Sequence, residues 1–80
     1  MHLMTLTDLA VGQSAVIEDI AGERVQRMKL LDVGLVPQTV VTVRKIAPMG
    51  DPIEVGVRSY VLTLRKAEAA LIMVKQETIG

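Results

Sequence analysis

Apolar and polar positions alternate strictly over Ile53–Arg58. Ile53, Val55 and Val57 fall on one side, Glu54, Gly56 and Arg58 on the other, which predicts a half-buried strand. Thr39–Ile46 predicts the strand before it. Ser14–Ile20 predicts the first strand, with Val16, Ile17 and Ile20 apolar and Glu18 and Asp19 solvated. Ser59-Tyr60 is expected to turn the chain into Val61–Arg65, where Leu62 and Leu64 alternate with Thr63 and Arg65. Lys66–Ala70 predicts a short helical turn and Leu71–Lys75 a last strand. Gln76–Gly80 is expected to fray.

Between the first two strands the period changes. Val25, Met28, Leu31 and Leu35 recur at spacings of three and four, which predicts a helix over Glu23–Val33 with one apolar stripe. Leu30 and Val33 widen the stripe, and Met28 and Leu31 are expected in the core. Glu23 lies in the first turn, where the helix dipole favours an anion. Gly34 is expected in the left-handed region just past the end. Leu35 can then close over Leu30, and Pro37 forbids continuation. Arg24, Gln26, Arg27 and Lys29 occupy the opposite face. Near the N-terminus, Thr7-Asp8-Leu9-Ala10 predicts one helical turn capped by Thr7, after which Gly12 turns the chain.

The segment Ala47-Pro48-Met49-Gly50-Asp51-Pro52 joins two predicted strands. Each proline locks its own φ, and each biases its predecessor toward extended backbone. Gly50 takes positive φ at little cost. A stiff hairpin tip results, and a stiff tip loses little entropy on docking. Asp51 is expected to shape the turn by accepting bonds from local amides. Met49 either projects as an adaptable anchor for a partner or folds back over the end of the sheet.

Five short strands in so small a chain leave two open edges unless the sheet closes. The expected fold is mainly β: a five-stranded SH3-like barrel with one helix inserted between strands one and two. A short helical turn precedes the last strand. The whole chain, 1–80, is expected to form one domain.

Composition narrows the chemistry. The 80 residues are 50% hydrophobic, yet Tyr60 is the only aromatic residue. The core must be built from Val, Leu, Ile, Met and Ala. No cysteine is present, which excludes disulfides and thiolate chemistry. No apolar run reaches the roughly 18 residues that span a membrane. Met1–Gly12 lacks the features of a signal peptide. A cytoplasmic protein without direct membrane insertion is expected. Net charge is zero, but residues 24–66 carry eight Lys/Arg against Asp32, Asp51 and Glu54, a local excess of +5. That stretch suits an acidic partner or is simply a solvated surface.

Candidate chemistry is sparse. His2 is the only histidine, and Ser14 and Ser59 have no evident base. No Gly-rich segment resembles a phosphate cradle, so catalysis lacks its parts. Glu18 and Asp19 are adjacent on a strand and point apart. Asp51 and Glu54 flank the tip, and Met1, His2 and Met4 form a soft-ligand set at a flexible end. None of these meets the ligand count and geometry of a metal centre. No cofactor is expected. Nucleic acid is not expected either, because single-strand surfaces combine positive charge with aromatic platforms.

Taken in order, several stretches resemble the ferrous-iron transport protein A (FeoA) family. They are Leu6-Thr7-Asp8-Leu9 with Gly12, Met28 through Pro37, Ala47 through Pro52, and Leu62-Thr63-Leu64-Arg65-Lys66 with Ala69. The most specific element is Leu-Leu-Asp-x-Gly-Leu followed about a dozen residues later by Ala-Pro-x-Gly-Asp-Pro. The resemblance implies a small cytoplasmic SH3-like accessory protein that contacts the G-protein domain of the FeoB permease. By fold analogy, partner contacts are expected at Met49, Gly50 and Asp51 on the tip and at Arg24, Arg27 and Lys29 on the helix. A monomer or weak homo-oligomer is expected. FeoA-like domains also occur fused to metal-dependent repressors, so a regulatory barrel, or a small RNA-binding one, is the alternative. The start at Met1, with no DNA-reading helix pair ahead, favours the stand-alone form. Two residues depart from the family pattern. Gln38 stands where Gly often follows Pro37, and Ser59 where Gly often precedes Tyr60. Each is expected to strain or reshape its turn, because non-Gly residues pay for positive φ.

Overall fold

The computed structural model describes residues 4–76. Strands β1 (Met4–Thr5), β2 (Ser14–Ile20), β3 (Val40–Ile46), β4 (Ile53–Val57), β5 (Tyr60–Leu64) and β6 (Ile72–Gln76) form one antiparallel sheet in the order β1-β6-β2-β3-β4-β5. Helix α1 (Arg24–Asp32) is inserted between β2 and β3, and α2 (Lys66–Ala69) precedes β6. A short 3-10 helix spans Leu6–Asp8.

The sheet wraps one core. Ala15, Ile17 and Ile20 enter it from β2, Val41 and Val43 from β3, Ile53, Val55 and Val57 from β4, and Ile72 and Val74 from β6. Ile17 and Ile20 are three apart, which a regular strand would send to opposite faces. A register shift between Ile17 and Asp19 inserts the extra residue that returns Ile20 to the core. Glu18 and Asp19 are both left in solvent. A second register shift lies between Val43 and Lys45 in β3, and beyond it Ile46 stays exposed.

Several expectations need correction. The sheet has six strands, because Met4 and Thr5 pair with Val74 and Met73. The barrel is not closed: β1 and β5 end the strand order and do not pair with each other. With only two residues, β1 is spent on β6. Near the open side, the Tyr60 hydroxyl donates to the Val33 carbonyl at the end of α1. The first helical turn is Leu6–Asp8 with Thr5 at its N-cap, not a turn capped by Thr7. Leu6 is fully buried there, and the Asp8 carboxylate accepts from the Thr5 amide at 2.9 Å. Strand β5 starts at Tyr60, so Arg58-Ser59 forms the hairpin turn. Gln76 lies in β6; the rest of the expected frayed tail lies outside the described residues.

The helix differs most. Its bounds and ends match the pattern. The Leu35 amide donates to the Leu30 carbonyl and the Gly34 amide to the Leu31 carbonyl, a Schellman cap with Gly34 at φ +98°. The apolar stripe is not buried, however. Val25 is 74% and Met28 49% exposed, and Val33 is exposed too. Only Leu30 is buried, with Leu31 packed partly against the core. Sheet residues already fill the interior, so α1 touches it through its last turn alone.

Candidate functional site

The tip is shaped by its own backbone. The Gly50 amide donates to the Ala47 carbonyl at 2.7 Å, and the Ala47 amide to the Pro52 carbonyl at 3.1 Å. Gly50 has φ +84° with open space where a Cβ would stand, so its role is conformational. The Asp51–Pro52 peptide is cis. Met49 is 90% exposed, which removes the version in which it folds back over the sheet. Asp51 also departs from expectation. Its carboxylate accepts from the Lys66 amide at 3.0 Å, so it caps α2 rather than bonding amides within the turn. The fold brings the tip beside α2, and a free amide at a helix start is the stronger claim on a carboxylate.

Arg24, Arg27 and Lys29 are exposed on α1. Gln26, Lys29 and Leu30 face Ala67, Glu68 and Leu71 across a narrow cleft of about 170 Å³. Helix α2 thus stands between the two predicted contact regions, held to the tip by Asp51 and lying alongside the basic helix. Sequence reasoning missed the apolar part of this surface: Val25 and Met28 are exposed on the same helix as the three cations. The stripe that marked them is real as a pattern, but the pattern does not say which way a short helix turns.

Beside the tip, Val11, Ile46, Pro48 and Pro52 line an open groove of about 540 Å³ with Arg44 and Lys45. A second cleft, about 560 Å³, lies among Gln38, Thr39, Val40, Thr42, Arg44, Gly56 and Arg58. Gln38 has φ +76°, as its place after Pro37 predicted. The other non-Gly residue with positive φ among the described residues is Arg58, at +54°, not Ser59. A two-residue hairpin loop puts that requirement on its first central residue when the turn is of type II′.

Among the described residues, no group of three or more His, Asp or Glu is placed to hold a metal ion. Met1 and His2 of the soft-ligand set lie outside the described residues, and Met4 packs against the core. The Asp19 carboxylate accepts from the Ile20 amide at 2.8 Å. No helix among the described residues is long and apolar enough to cross a membrane.

Residues 4–76 match the FeoA domain family. The chain is 36% identical over 72 residues to an Fe(2+) transport protein A/Fe(2+) transporter FeoB fusion protein of Porphyromonas gingivalis. That match takes in 90% of this chain but only 8% of the relative's length. An FeoA-like protein of Clostridium acetobutylicum superposes with a TM-score of 0.88 at 32% identity, covering 100% of this chain and 93% of its own. FeoA of Stenotrophomonas maltophilia, solved with zinc and described as a prokaryotic SH3 domain protein, gives 0.74 at 29% identity, over 90% and 89% of the two chains. The open sheet with its inserted helix is therefore an SH3-like fold, and this chain belongs to the FeoA domain family.

Proposed function

We propose that this protein is a non-enzymatic cytoplasmic accessory of ferrous-iron uptake. It docks on the G-protein part of a FeoB-type permease and changes which conformations that part populates. The observation that carries the proposal is the fusion: a sequence matching 90% of this chain is joined to FeoB in the Porphyromonas gingivalis relative. A covalent link keeps two modules at high mutual concentration, which is useful when they act on each other. With no reactive constellation evident among the described residues, its effect is read as unequal affinity for two states of the partner.

The proposed contacts are Met49 and Gly50 at the tip and Arg24, Arg27 and Lys29 on α1. Asp51 contributes by holding the tip against α2. Met49 is an almost fully exposed, adaptable apolar side chain on a stiff support, and the three cations suit an acidic surface.

Titration of ¹⁵N-labelled protein with the permease G-protein domain, in GDP and GTP-analogue states, tests the proposal. Amide shifts should centre on residues 48–51 and on α1. Met49→Asp should weaken binding at least about ten-fold, as expected for an interface anchor, while changing stability by less than about 0.5 kcal/mol. Absence of shifts in every nucleotide state would overturn docking on that domain.

A further inference from the structure

We propose that Arg44 and Arg58, with Gln38, Thr39 and Thr42, form a binding site for a phosphate group. The site is the cleft of about 560 Å³ between the turn that enters β3 and the β4–β5 hairpin. It lies outside the contacts assigned above and does not depend on them.

Charge is the first reason. Two guanidiniums line the cleft, and no carboxylate does. Arg58 has no ion-pair partner among the described residues. Arg44 approaches Glu54 only at 3.8 Å, with the two side chains 58% and 32% exposed. An exposed pair at that distance neutralises little. Arg44 is also aimed: its stem passes over Gly56, where a Cβ would come within 3.3 Å of Arg44 Cδ. Gly56 therefore opens the space that the arginine crosses.

Backbone strain is the second. The two non-Gly residues with positive φ among those described, Gln38 and Arg58, both line this one cleft. Glycine would occupy either position without steric penalty. Strained backbone collects where a side chain is needed at a particular point. Here the strained residues supply an amide and a guanidinium to the same cavity.

The third is an unpaired hydroxyl. Thr39 is 3% exposed and lines the cleft, yet its Oγ1 has no hydrogen-bond partner among the described residues. A buried hydroxyl without a partner is costly. A change of χ1 rotamer that turns Oγ1 toward an anion in the cleft would satisfy it. Thr42 has its hydroxyl 2.6 Å from that of Ser14. With Ser14 donating, Thr42 keeps its own proton for a ligand.

Guanidinium forks fit both carboxylate and phosphate. Two positive charges, Arg58 unpaired among the described residues and Arg44 only loosely paired with Glu54, favour the phosphate, which carries nearly two negative charges near neutral pH. No aromatic side chain lines the cleft, so a nucleobase has no stacking platform there. The phosphate group itself is what the site recognises.

The test uses the intact chain, ¹⁵N-labelled, titrated with sodium phosphate and with sodium acetate at matched ionic strength. Phosphate should produce saturable shifts at the amides of Gln38, Thr39 and Arg58, and acetate should bind at least ten-fold more weakly. Arg44→Gln and Arg58→Gly should each weaken phosphate at least about ten-fold, the loss expected for one charge-assisted contact. Arg58→Gly should at the same time melt at a higher temperature, which separates lost binding from lost folding. Vesicles with and without phosphatidic acid identify the source. Retention on phosphatidic acid that both substitutions abolish, with soluble phosphate silent, places a lipid headgroup in the same site. Equal response to acetate, unchanged phosphate binding in both variants, or no arginine-dependent binding in either format overturns the proposal.

Discussion

At Gly34 two constraints coincide. Its φ is +98°, and an added Cβ would collide with the Tyr60 hydroxyl. Left-handed backbone costs an L-residue roughly 1–2 kcal/mol. Displacing Tyr60 forfeits its bond to the Val33 carbonyl, worth about 1 kcal/mol. Gly34→Ala should therefore destabilise the protein by about 2–3 kcal/mol in urea titrations, the sum of those two costs. In a Tyr60→Phe background the same substitution should cost about 1 kcal/mol less, because the colliding oxygen is gone. Full additivity of the two changes would show that Tyr60 moves aside freely. The left-handed conformation itself was legible beforehand, from Gly34 following an apolar run and preceding Pro37. The second constraint was not, since Tyr60 lies 26 residues away along the chain. Ser59 and Arg58 show the same limit at shorter range. The motif correctly marked a turn missing its glycine, but the hairpin register placed the positive φ one residue earlier.

Among the elements, strands were more legible than helices. Period-two alternation located β4 to within one residue, because each strand buries one face and a slip would expose all of it. The bulges in β2 and β3 were invisible as such, although the three-residue spacing of Ile17 and Ile20 is the trace of the one in β2. Helix α1 shows the reverse case. Its capping signals fixed both ends, but its apolar stripe pointed to a buried face that is absent. Met28→Lys should change stability by less than about 0.5 kcal/mol, as at ordinary surface sites, whereas Leu30→Ala should cost about 2–5 kcal/mol. Comparable losses at both positions would mean that α1 lies flat on the core. Helix α2 depends on a residue from elsewhere: Asp51 reaches the Lys66 amide from the hairpin tip. Asp51→Ala should cost about 1 kcal/mol, a typical cap value, and should speed amide exchange at Lys66 without affecting β3.

Over the whole molecule, the unpaired ends of the sheet set the order of local stability. Strands β2, β3, β4 and β6 each have a neighbour on both sides, while β1 and β5 have one. Native-state hydrogen exchange should find the slowest amides in β2, β3, β4 and β6. In β5 the Tyr60, Leu62 and Leu64 positions should outlast Val61 and Thr63, which alternate toward the free edge. Uniform protection across β5 would indicate that its edge is covered. The identity of every element but β1, their sequence and the SH3-like class were written in local patterns: alternation, capping glycine, proline-bounded turns. These are short-range properties, decided by sterics and by which face must leave water. Only the tertiary structure decided that the sheet stays open, that α1 presents Val25 and Met28 to solvent, and that Asp51 serves α2. It alone brings Gln38, Thr39, Arg44 and Arg58 round one cleft. Those features depend on distances between residues far apart in the chain, and no local pattern encodes the space left once the core is filled.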